Sequence, residues 1–293
     1  MYLPVDEDLI ERFQQVLADP PPKGRQKEQV VQAFLEENSV LIPMHNLENH
    51  GLHMDSIISK FPLGTAFTTD YAYLTKSSSR WVVTFVELEA PEKPIFTADM
   101  DRPTFSSTFN GAVSQVEQWM HYVEEHRDAV RESLSKLLRP MAGNKLTFAY
   151  QLIIGRSVSK NMSDDHKAAF EMRRDKSGID IFTYDALISH YRIGKRAEKN
   201  VMFASKNRFA FKRFAREFGN MLAWIGPDAL KFSTEQRAEL VSRGYEMDAW
   251  ENGETLSVGG GRRVLRIDEE VGSMLKNVLA SALNTSSLDA PES

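Results

Sequence analysis

Residues 67–94 read FTTDYAYLTKSSSRWVVTFVELEAPEKP. Two apolar runs rich in β-branched and aromatic residues, Tyr71–Thr75 and Trp81–Val86, lie on either side of a turn rich in lysine and serine. This pattern predicts a β-hairpin. We expect this hairpin to form the centre of the fold, with the other elements arranged around it.

Acidic residues lie at both ends of the predicted hairpin. Asp70 precedes the first strand, and Glu87 and Glu89 end the second. Because side chains alternate along a strand, Glu87 and Glu89 share one face, while Leu88 points the other way toward a core. Asp70, on the partner strand, can lie beside this pair. Three carboxylates after an apolar run are costly to hold together without a cation, so the pattern predicts a divalent metal site.

The elements on either side of the hairpin are predicted from the spacing of their apolar residues. We expect helices over residues 6–17, 25–38, 106–138, 166–175 and 184–191, and strands over 53–61, 146–155 and 179–182. The strand at 146–155 is nearly continuous in apolar residues, as in a sheet covered by helices on both faces. Residues 25–192 therefore predict an α/β sandwich around a mixed sheet.

Two polar features before the hairpin are expected to have no catalytic role of their own. Glu28, Gln32 and Glu36 recur at four-residue spacing on the second helix and predict a solvated face. Three histidines lie between residues 45 and 53, but their spacing matches no helical zinc motif. We expect these histidines at the surface or beside the site.

Basic residues and phenylalanines alternate between Lys195 and Phe218, and this segment allows two interpretations. The favoured one is an amphipathic helix that packs its phenylalanines. The other is a nucleic-acid surface in which Lys206, Arg208, Lys212 and Arg213 contact phosphates. Residues 193–283 are expected to form an α-rich C-terminal extension, with helices at 234–243 and 269–283, a glycine turn at 259–261 and a disordered tail over 284–293.

The composition excludes several classes of protein. The 293-residue chain has no cysteine, which excludes disulfides and thiolate chemistry and fits the reducing cytoplasm. It has no apolar run of about 18 residues and no signal-peptide pattern, so we expect no membrane association. The net charge of −5 argues against general adhesion to nucleic acid but is compatible with a local basic surface.

Five segments together carry a resemblance to a known family. In chain order they are SKFPLGTAFTTDYAYL (59–74), WVVTFVELEAPEKPIF (81–96), AVSQVEQWMHYVEE (112–125), LIIGRS (152–157) and SGIDIFTYDALI (177–188). They resemble the catalytic domain of the Shedu family of anti-phage defence nucleases, within the PD-(D/E)XK nuclease superfamily. The resemblance covers roughly residues 25–192, preceded by an N-terminal helix and linker over 1–24.

The resemblance implies a fold and an activity. The fold would be a restriction-endonuclease-like αβββαβ core. The activity would be that of a hydrolase: a metal-dependent endonuclease that cuts DNA in antiviral or anti-plasmid defence. Asp70, Glu87 and the Leu88 carbonyl would hold Mg²⁺ or Mn²⁺, with no other small-molecule cofactor. Gln115 would help to orient the site, DNA would be the partner, and the protein would form a dimer or tetramer.

The resemblance also implies accessory residues and contains one departure. Trp119 takes the place of the tyrosine in the family's Q-x-x-x-Y element, although a residue of this type at this spacing also fits simple packing. Glu28 falls where the first helix of related nucleases sometimes adds an acid. Glu89 replaces the lysine expected two residues after the second acid, and could act as a base or a third ligand. Lys93 could supply the missing positive charge.

Two other functions remain open from the sequence. The first is a nuclease-fold protein with weak or no activity, which binds nucleic acid as a sensor or scaffold. The second is a carboxylate hydrolase such as a glycosidase, which also uses paired acids. The second is disfavoured because Glu87 and Glu89 lie on one strand face and not across a sugar cleft.

Overall fold

The computed structural model describes residues 3–99, 101–215, 221–254 and 256. The chain divides into two compact units, the first ending at Glu217 and the second beginning at Phe218. Each unit is described by itself. The first contains the hairpin and all the residues predicted for the active site.

In the first unit, the helices and strands follow the predicted alternation. The helices are α1 (Glu7–Ala18), α2 (Lys27–Glu37), α3 (Ser107–Glu125), α4 (Arg127–Leu138), α5 (Ser157–Lys160), α6 (Asp164–Ser177) and α7 (Tyr184–Ile193). The strands are β1 (Leu52–Ser59), β2 (Pro62–Leu63), β3 (Phe67–Thr68), β4 (Tyr71–Lys76), β5 (Arg80–Leu88), β6 (Lys145–Ile153), β7 (Asp180–Phe182), β8 (Asn200–Ser205) and β9 (Arg208–Arg213). In the described part of the chain, no helix combines the length and the apolar character needed to cross a membrane.

The central sheet of the first unit is mixed. Its strands lie in the order β9-β8-β1-β4-β5-β6-β7, and β2 pairs with β3 in a separate small hairpin. β4 is antiparallel to both β1 and β5, and β9 to β8, whereas β6 is parallel to both β5 and β7, and β8 to β1. The predicted mixed sheet flanked by helices is confirmed. With β2, β3 and α4 set aside, α2, β1, β4, β5, α3 and β6 follow one another in the order αβββαβ.

The predicted hairpin is formed by β4 and β5. Its register pairs Tyr71 with Val86 at one end and Lys76 with Trp81 at the other. Every residue of the two strands is buried except Arg80 beside the turn. Burial on both faces explains why the two runs contain so few polar residues.

One face of the sheet packs against α1, α2 and α7. α1 buries residues at helical spacing, Leu9, Ile10, Phe13 and Leu17, on this face. The apolar cluster also includes Leu88, which confirms that this side chain points to a core and away from the acids on either side of it. The hairpin therefore has one apolar face and one face that carries Glu87.

The opposite face is covered by α3. This helix buries Val113, Val116 and Trp119, and Trp119 is completely buried, so the packing interpretation of this tryptophan is confirmed. The single helix predicted over residues 106–138 is in fact two helices, because His126 leaves the helical conformation with φ −122°. Ser106 caps the N-terminus of α3, and its side chain accepts a hydrogen bond from the Phe109 N–H.

The prediction of an amphipathic helix between Lys195 and Phe218 is wrong for residues 200–213. The prediction that the extension from residue 193 is α-rich is therefore wrong for these residues as well. These residues form the β8–β9 hairpin, whose two-residue turn contains Lys206 at φ +56°. Phe209 and Phe211 are buried on β9. Phe209 and Phe211 are two residues apart, which is the period of a strand. The other phenylalanines of the segment also fit helical spacing, so the sequence pattern was ambiguous.

The second unit is described over residues 221–254 and 256. It contains a short strand β10 (Leu230–Lys231) and two helices, α8 (Thr234–Ser242) and α9 (Met247–Glu251). The Trp250 indole is buried and donates to the Ile225 carbonyl at 3.0 Å. The predicted helix at 234–243 is confirmed. The glycine turn at 259–261, the helix at 269–283 and the tail at 284–293 lie outside the described residues.

Candidate active site

The β4–β5 register brings two carboxylates together. Since Tyr71 pairs with Val86, the next residues along the two strands, Asp70 and Glu87, lie opposite each other. The Asp70 N–H donates to the Val86 carbonyl at 3.1 Å, which continues the ladder to this position. Asp70 and Glu87 are only 7% and 8% exposed. Two ionised carboxylates directly opposite each other would repel, and keeping one of them protonated also costs free energy, so this end of the hairpin is built at the cost of stability.

Burial is also reflected in the protonation of Glu87. Burial raises the pKa of Glu87 to about 9, and the negative charges of Asp70 and Glu89 add to the increase, whereas Lys60 offsets part of it. At neutral pH and without a cation, Glu87 therefore keeps its proton. A cation between Asp70 and Glu87 would reverse this preference, because it stabilises the carboxylate form.

Asp70 is held by hydrogen bonds to both of its carboxylate oxygens. Its Oδ2 accepts from the Leu88 N–H at 2.7 Å, and its Oδ1 pairs with Lys60 Nζ. The N–H and C=O groups of one residue project to the same edge of a strand, so the Leu88 carbonyl projects to the edge of β5 on which Asp70 lies. The geometry is compatible with the Leu88 carbonyl as a metal ligand, and that role stays a prediction.

Gln115 contacts the acid pair from α3. Its Nε2 donates to Glu87 Oε1 at 2.5 Å. Trp119, one turn further along α3, is buried beneath it and fixes the helix against the sheet. The structure thus brings Gln115 to the position that its predicted role requires, and the role itself stays a prediction.

Glu89 is paired with Lys93. Lys93 Nζ contacts Glu89 Oε2 and lies 3.3 Å from Glu28 Oε1. Partial burial lowers the pKa of Lys93, but the two glutamates outweigh this effect and raise it above its ordinary value. The Tyr184 hydroxyl donates to the Glu89 carbonyl at 2.7 Å. Glu28 and Lys93 are therefore brought together with Glu89, as their predicted accessory roles require.

The expectation that three carboxylates converge on one cation is not met. Within the described residues, no group of three or more histidine, aspartate or glutamate side chains is placed to hold a metal ion. Glu89 lies on the same strand face as Glu87, but its carboxylate is directed to Lys93. The oxygen donors that remain together are the carboxylates of Asp70 and Glu87 and the Leu88 carbonyl.

The polar stripe of α2 is not a solvated face, contrary to the prediction. Gln32 is buried, and its Nε2 lies 3.3 Å from the Asp70 carbonyl and 3.4 Å from Glu36 Oε1. Glu36 accepts in turn from the Ser59 hydroxyl and pairs with Lys212 Nζ at 2.7 Å. The stripe therefore lines one side of the site, which its polarity alone did not reveal.

Lys60 is a site residue that the sequence reasoning missed. It follows β1 directly, its N–H donates to the Asp70 carbonyl at 2.9 Å, and its Nζ contacts Asp70 Oδ1. Its backbone adopts φ +50°, which is uncommon for a residue other than glycine. The sequence signal was weak: a single lysine at a strand end before the turn that begins at Pro62.

The four basic residues predicted to contact nucleic acid lie on the β8–β9 hairpin. Lys206 and Arg208 are exposed near its turn. Lys212 pairs with an acid of α2, and Arg213 pairs with Glu198 at 3.1 Å. These pairs reduce the charge that two of the four residues can offer to a phosphate. Their role in nucleic-acid binding stays a prediction.

An open pocket of about 560 Å³ lies between the β2–β3 hairpin and α3. Its lining is uncharged and includes Phe67, Thr68, Ser114, Gln115 and Gln118. Since Gln115 also contacts Glu87, the pocket adjoins the acid pair. Its polar, uncharged lining suits the neutral parts of a bulky substrate better than a second charged group.

The histidines before the hairpin differ in their environment. His45 and His50 are exposed, as expected, but His53 is buried on β1, contrary to the prediction. Burial, together with the nearby Lys76, lowers the pKa of His53 to about 3, so the imidazole is neutral. The His45 ring stacks near His190 at a centroid distance of 6.1 Å. No zinc site is formed by these histidines among the described residues.

One of two comparisons with known proteins finds a match, and the match covers this part of the chain. A family model described as Shedu protein SduA, C-terminal, matches residues 25–188, which is more than half of the chain. The matched range begins just before α2 and ends within α7. It contains Asp70, Glu87, Glu89 and Gln115. A comparison with curated proteins finds no match.

Proposed function

Because the chain belongs to the Shedu family, which implies a role in defence, we propose that it is a metal-dependent endonuclease that hydrolyses DNA of phages or plasmids. The observation that carries this proposal is the cross-strand pair of buried acids, Asp70 and Glu87. A protein keeps such a pair at a cost to its stability, and a metal site for phosphodiester chemistry gives the pair a function. The αβββαβ order of the core elements supports the assignment to the PD-(D/E)XK superfamily.

The donor set supports Mg²⁺ or Mn²⁺ as the cofactor. Two carboxylates and one carbonyl are hard oxygen ligands, and Mg²⁺ usually retains several waters beside a small number of protein ligands. Burial and the neighbouring acids Asp70 and Glu89 raise the pKa of Glu87, and a bound cation would offset both effects. When bound, the ion would neutralise the scissile phosphate and acidify a water molecule.

The residues of the chain have distinct tasks in the proposed reaction. Asp70 and Glu87 would hold the cation, and Gln115 fixes the orientation of the Glu87 carboxylate through its 2.5 Å hydrogen bond. Glu89 takes the proton of the attacking water, and its contact with Lys93 holds the Glu89 carboxylate in place. As the water oxygen bonds to phosphorus, one P–O ester bond breaks and the leaving oxygen takes up a proton.

We expect Asp70→Asn to lower Mg²⁺-dependent cleavage at least ~100-fold, because the asparagine keeps the shape but removes one anionic ligand. The assay incubates supercoiled and linear DNA with Mg²⁺ or Mn²⁺ and with a chelator. Asp164→Asn, an exposed substitution on α6, is the matched control and should cleave like the wild type. Equal cleavage by wild type and Asp70→Asn, or cleavage that survives the chelator, would contradict the proposal.

Gln115→Leu should reduce the cleavage rate by roughly 10- to 100-fold, because Glu87 loses the amide that orients it. The variant Gln118→Leu changes an exposed glutamine on the same helix and serves as the control. Single-turnover rates at saturating Mg²⁺ separate this positioning effect from a change in DNA affinity. A loss of the same size in both variants would point to the shared pocket lining instead of the Glu87 contact.

A further inference from the structure

We propose that Lys60 is a catalytic residue of this site and supplies the positive charge that Glu89 cannot provide. The inference rests on the proposed nuclease function and goes beyond it by assigning the group that contacts the scissile phosphate. In the proposed role, Lys60 Nζ donates a hydrogen bond to a non-bridging oxygen of the phosphate held at Asp70 and Glu87.

The sheet register places Lys60 in line with the acid pair. In the β1–β4 register, Ser59 pairs with Tyr71, so the next residue of each chain segment brings Lys60 beside Asp70. In the β4–β5 register, the same step brings Asp70 beside Glu87. Lys60, Asp70 and Glu87 thus form a row across three neighbouring chain segments, with the ammonium group of Lys60 at one end and the Glu87 carboxyl group at the other.

The backbone of Lys60 fixes this placement. The N–H of Lys60 still bonds to the Asp70 carbonyl at 2.9 Å, although β1 has ended and φ is +50°. A lysine in this conformation is strained, and such residues cluster at ligand sites. With this conformation the chain changes direction at Lys60 and continues to the β2–β3 hairpin. The lysine side chain remains on the side of Asp70.

The charge balance favours Lys60 over Lys93 for this task. Lys93 contacts two acids, Glu89 and Glu28, which together outweigh its charge. Lys60 contacts one acid, Asp70, among the described residues, and 54% of its side chain is exposed. Because the lysine side of this pair is in contact with solvent, Lys60 could leave Asp70 if a metal ion took its place there. Its ammonium group then remains within reach of a phosphate bound at the same ion.

The chemistry of this role is electrostatic. Negative charge on the non-bridging oxygens must be stabilised as the water oxygen bonds to phosphorus and the ester P–O bond breaks. Lys60 keeps its proton throughout and donates a hydrogen bond to one of these oxygens. The water proton goes to the base and the leaving oxygen is protonated, so the reaction needs no further reactant.

The test compares Lys60→Met and Lys60→Gly with the wild type in single-turnover cleavage of a labelled duplex with Mg²⁺. We expect both variants to lose about 100-fold in rate, and Lys60→Arg to keep part of the activity. Lys60→Gly is included because glycine accepts φ +50° without strain, so a loss of activity in this variant is not caused by backbone strain at residue 60. Lys167→Met, which removes an exposed lysine of α6 that pairs with Asp164, is the matched control and should cleave like the wild type.

Two further measurements separate catalysis from structure. Calorimetric titration with Mn²⁺ should show affinity for Lys60→Met that is equal to or tighter than the wild type, because a competing cation has been removed from Asp70. Fluorescence anisotropy in Ca²⁺ should show duplex affinity within about threefold of the wild type, since a single phosphate contact is lost. A rate loss matched by weaker Mn²⁺ binding would show that Lys60 only supports the fold of the site, and would overturn the inference.

The inference and the proposed function fail in different ways. Equal cleavage by the wild type and Lys60→Met would overturn the role of Lys60 and leave the nuclease function intact. An absence of cleavage by the wild type would overturn the nuclease function and the role of Lys60 with it.

Discussion

Glu87→Gln is expected to lower the rate of Mg²⁺-dependent DNA cleavage by about 1000-fold or more. It is also expected to stabilise the metal-free protein. The two effects have one cause. Glu87 is buried beside Asp70, which makes it a good cation ligand and an unfavourable residue for the empty site. Glutamine keeps the size of the side chain and can accept the hydrogen bond from Gln115, but it removes the carboxylate.

The sign of the stability change follows from the raised pKa of Glu87. The folded protein holds this proton up to about pH 9, whereas the unfolded chain releases it near pH 4.5. Between these values the unfolded state gains stability from ionisation, so the wild type loses stability as the pH rises. Glutamine has no proton to lose. The free energy of unfolding of Glu87→Gln should therefore equal that of the wild type below about pH 4.5 and exceed it by about 2 to 4 kcal/mol at pH 8.

Urea unfolding at pH 5 and pH 8 in the presence of a chelator measures this effect. The control is Glu132→Gln, at an exposed position of α4, which should change neither stability nor cleavage. Adding Mn²⁺ should stabilise the wild type and leave Glu87→Gln unchanged. If Glu87→Gln were no more stable than the wild type at pH 8, Glu87 would ionise normally in the folded protein, and the electrostatic argument for a cation would fail.

The sequence predicts the parts of this site that depend on local pattern. The hairpin follows from two short apolar runs and a polar turn, and the alternation of side chains separates Glu87 from Leu88. Gln115 and Trp119 share a helix face because they are one turn apart. These relationships involve residues close together in the chain, where spacing fixes geometry.

The parts that the sequence does not predict depend on non-local pairing. Lys60 reaches Asp70 because β1 pairs with β4 in one particular register, which spacing along the chain does not determine. Gln32 is buried because α2 lies against the end of the hairpin, although its stripe has the polarity of a solvated face. The β8–β9 hairpin was missed because tertiary pairing with β1 overrides an ambiguous pattern of phenylalanines.

The Lys93 side of the site depends on Gly155, and Gly155→Ala is expected to destabilise the protein by about 3 kcal/mol. Gly155 follows β6 with φ +64°, and an added Cβ would lie 2.6 Å from the Lys93 carbonyl oxygen. Neither backbone can yield easily. The Gly155 carbonyl accepts from the Tyr184 N–H at 3.1 Å, and the Lys93 N–H bonds to the Ala90 carbonyl at 3.1 Å.

Gly178→Ala is the matched control for this substitution. Gly178 ends α6 with nearly the same dihedral, φ +68°, but the nearest atom to its added Cβ is the Met120 methyl carbon at 3.7 Å. Gly178→Ala should therefore lower the free energy of unfolding by only about 1 kcal/mol, which is the cost of the left-handed conformation for alanine. Chemical unfolding gives the free energy of unfolding of both variants. The difference between the two losses of stability measures the contact of the added Cβ with the Lys93 carbonyl. Equal losses would show that the Lys93 turn moves aside freely, and Lys93 would then not be held beside Glu89 by the fold.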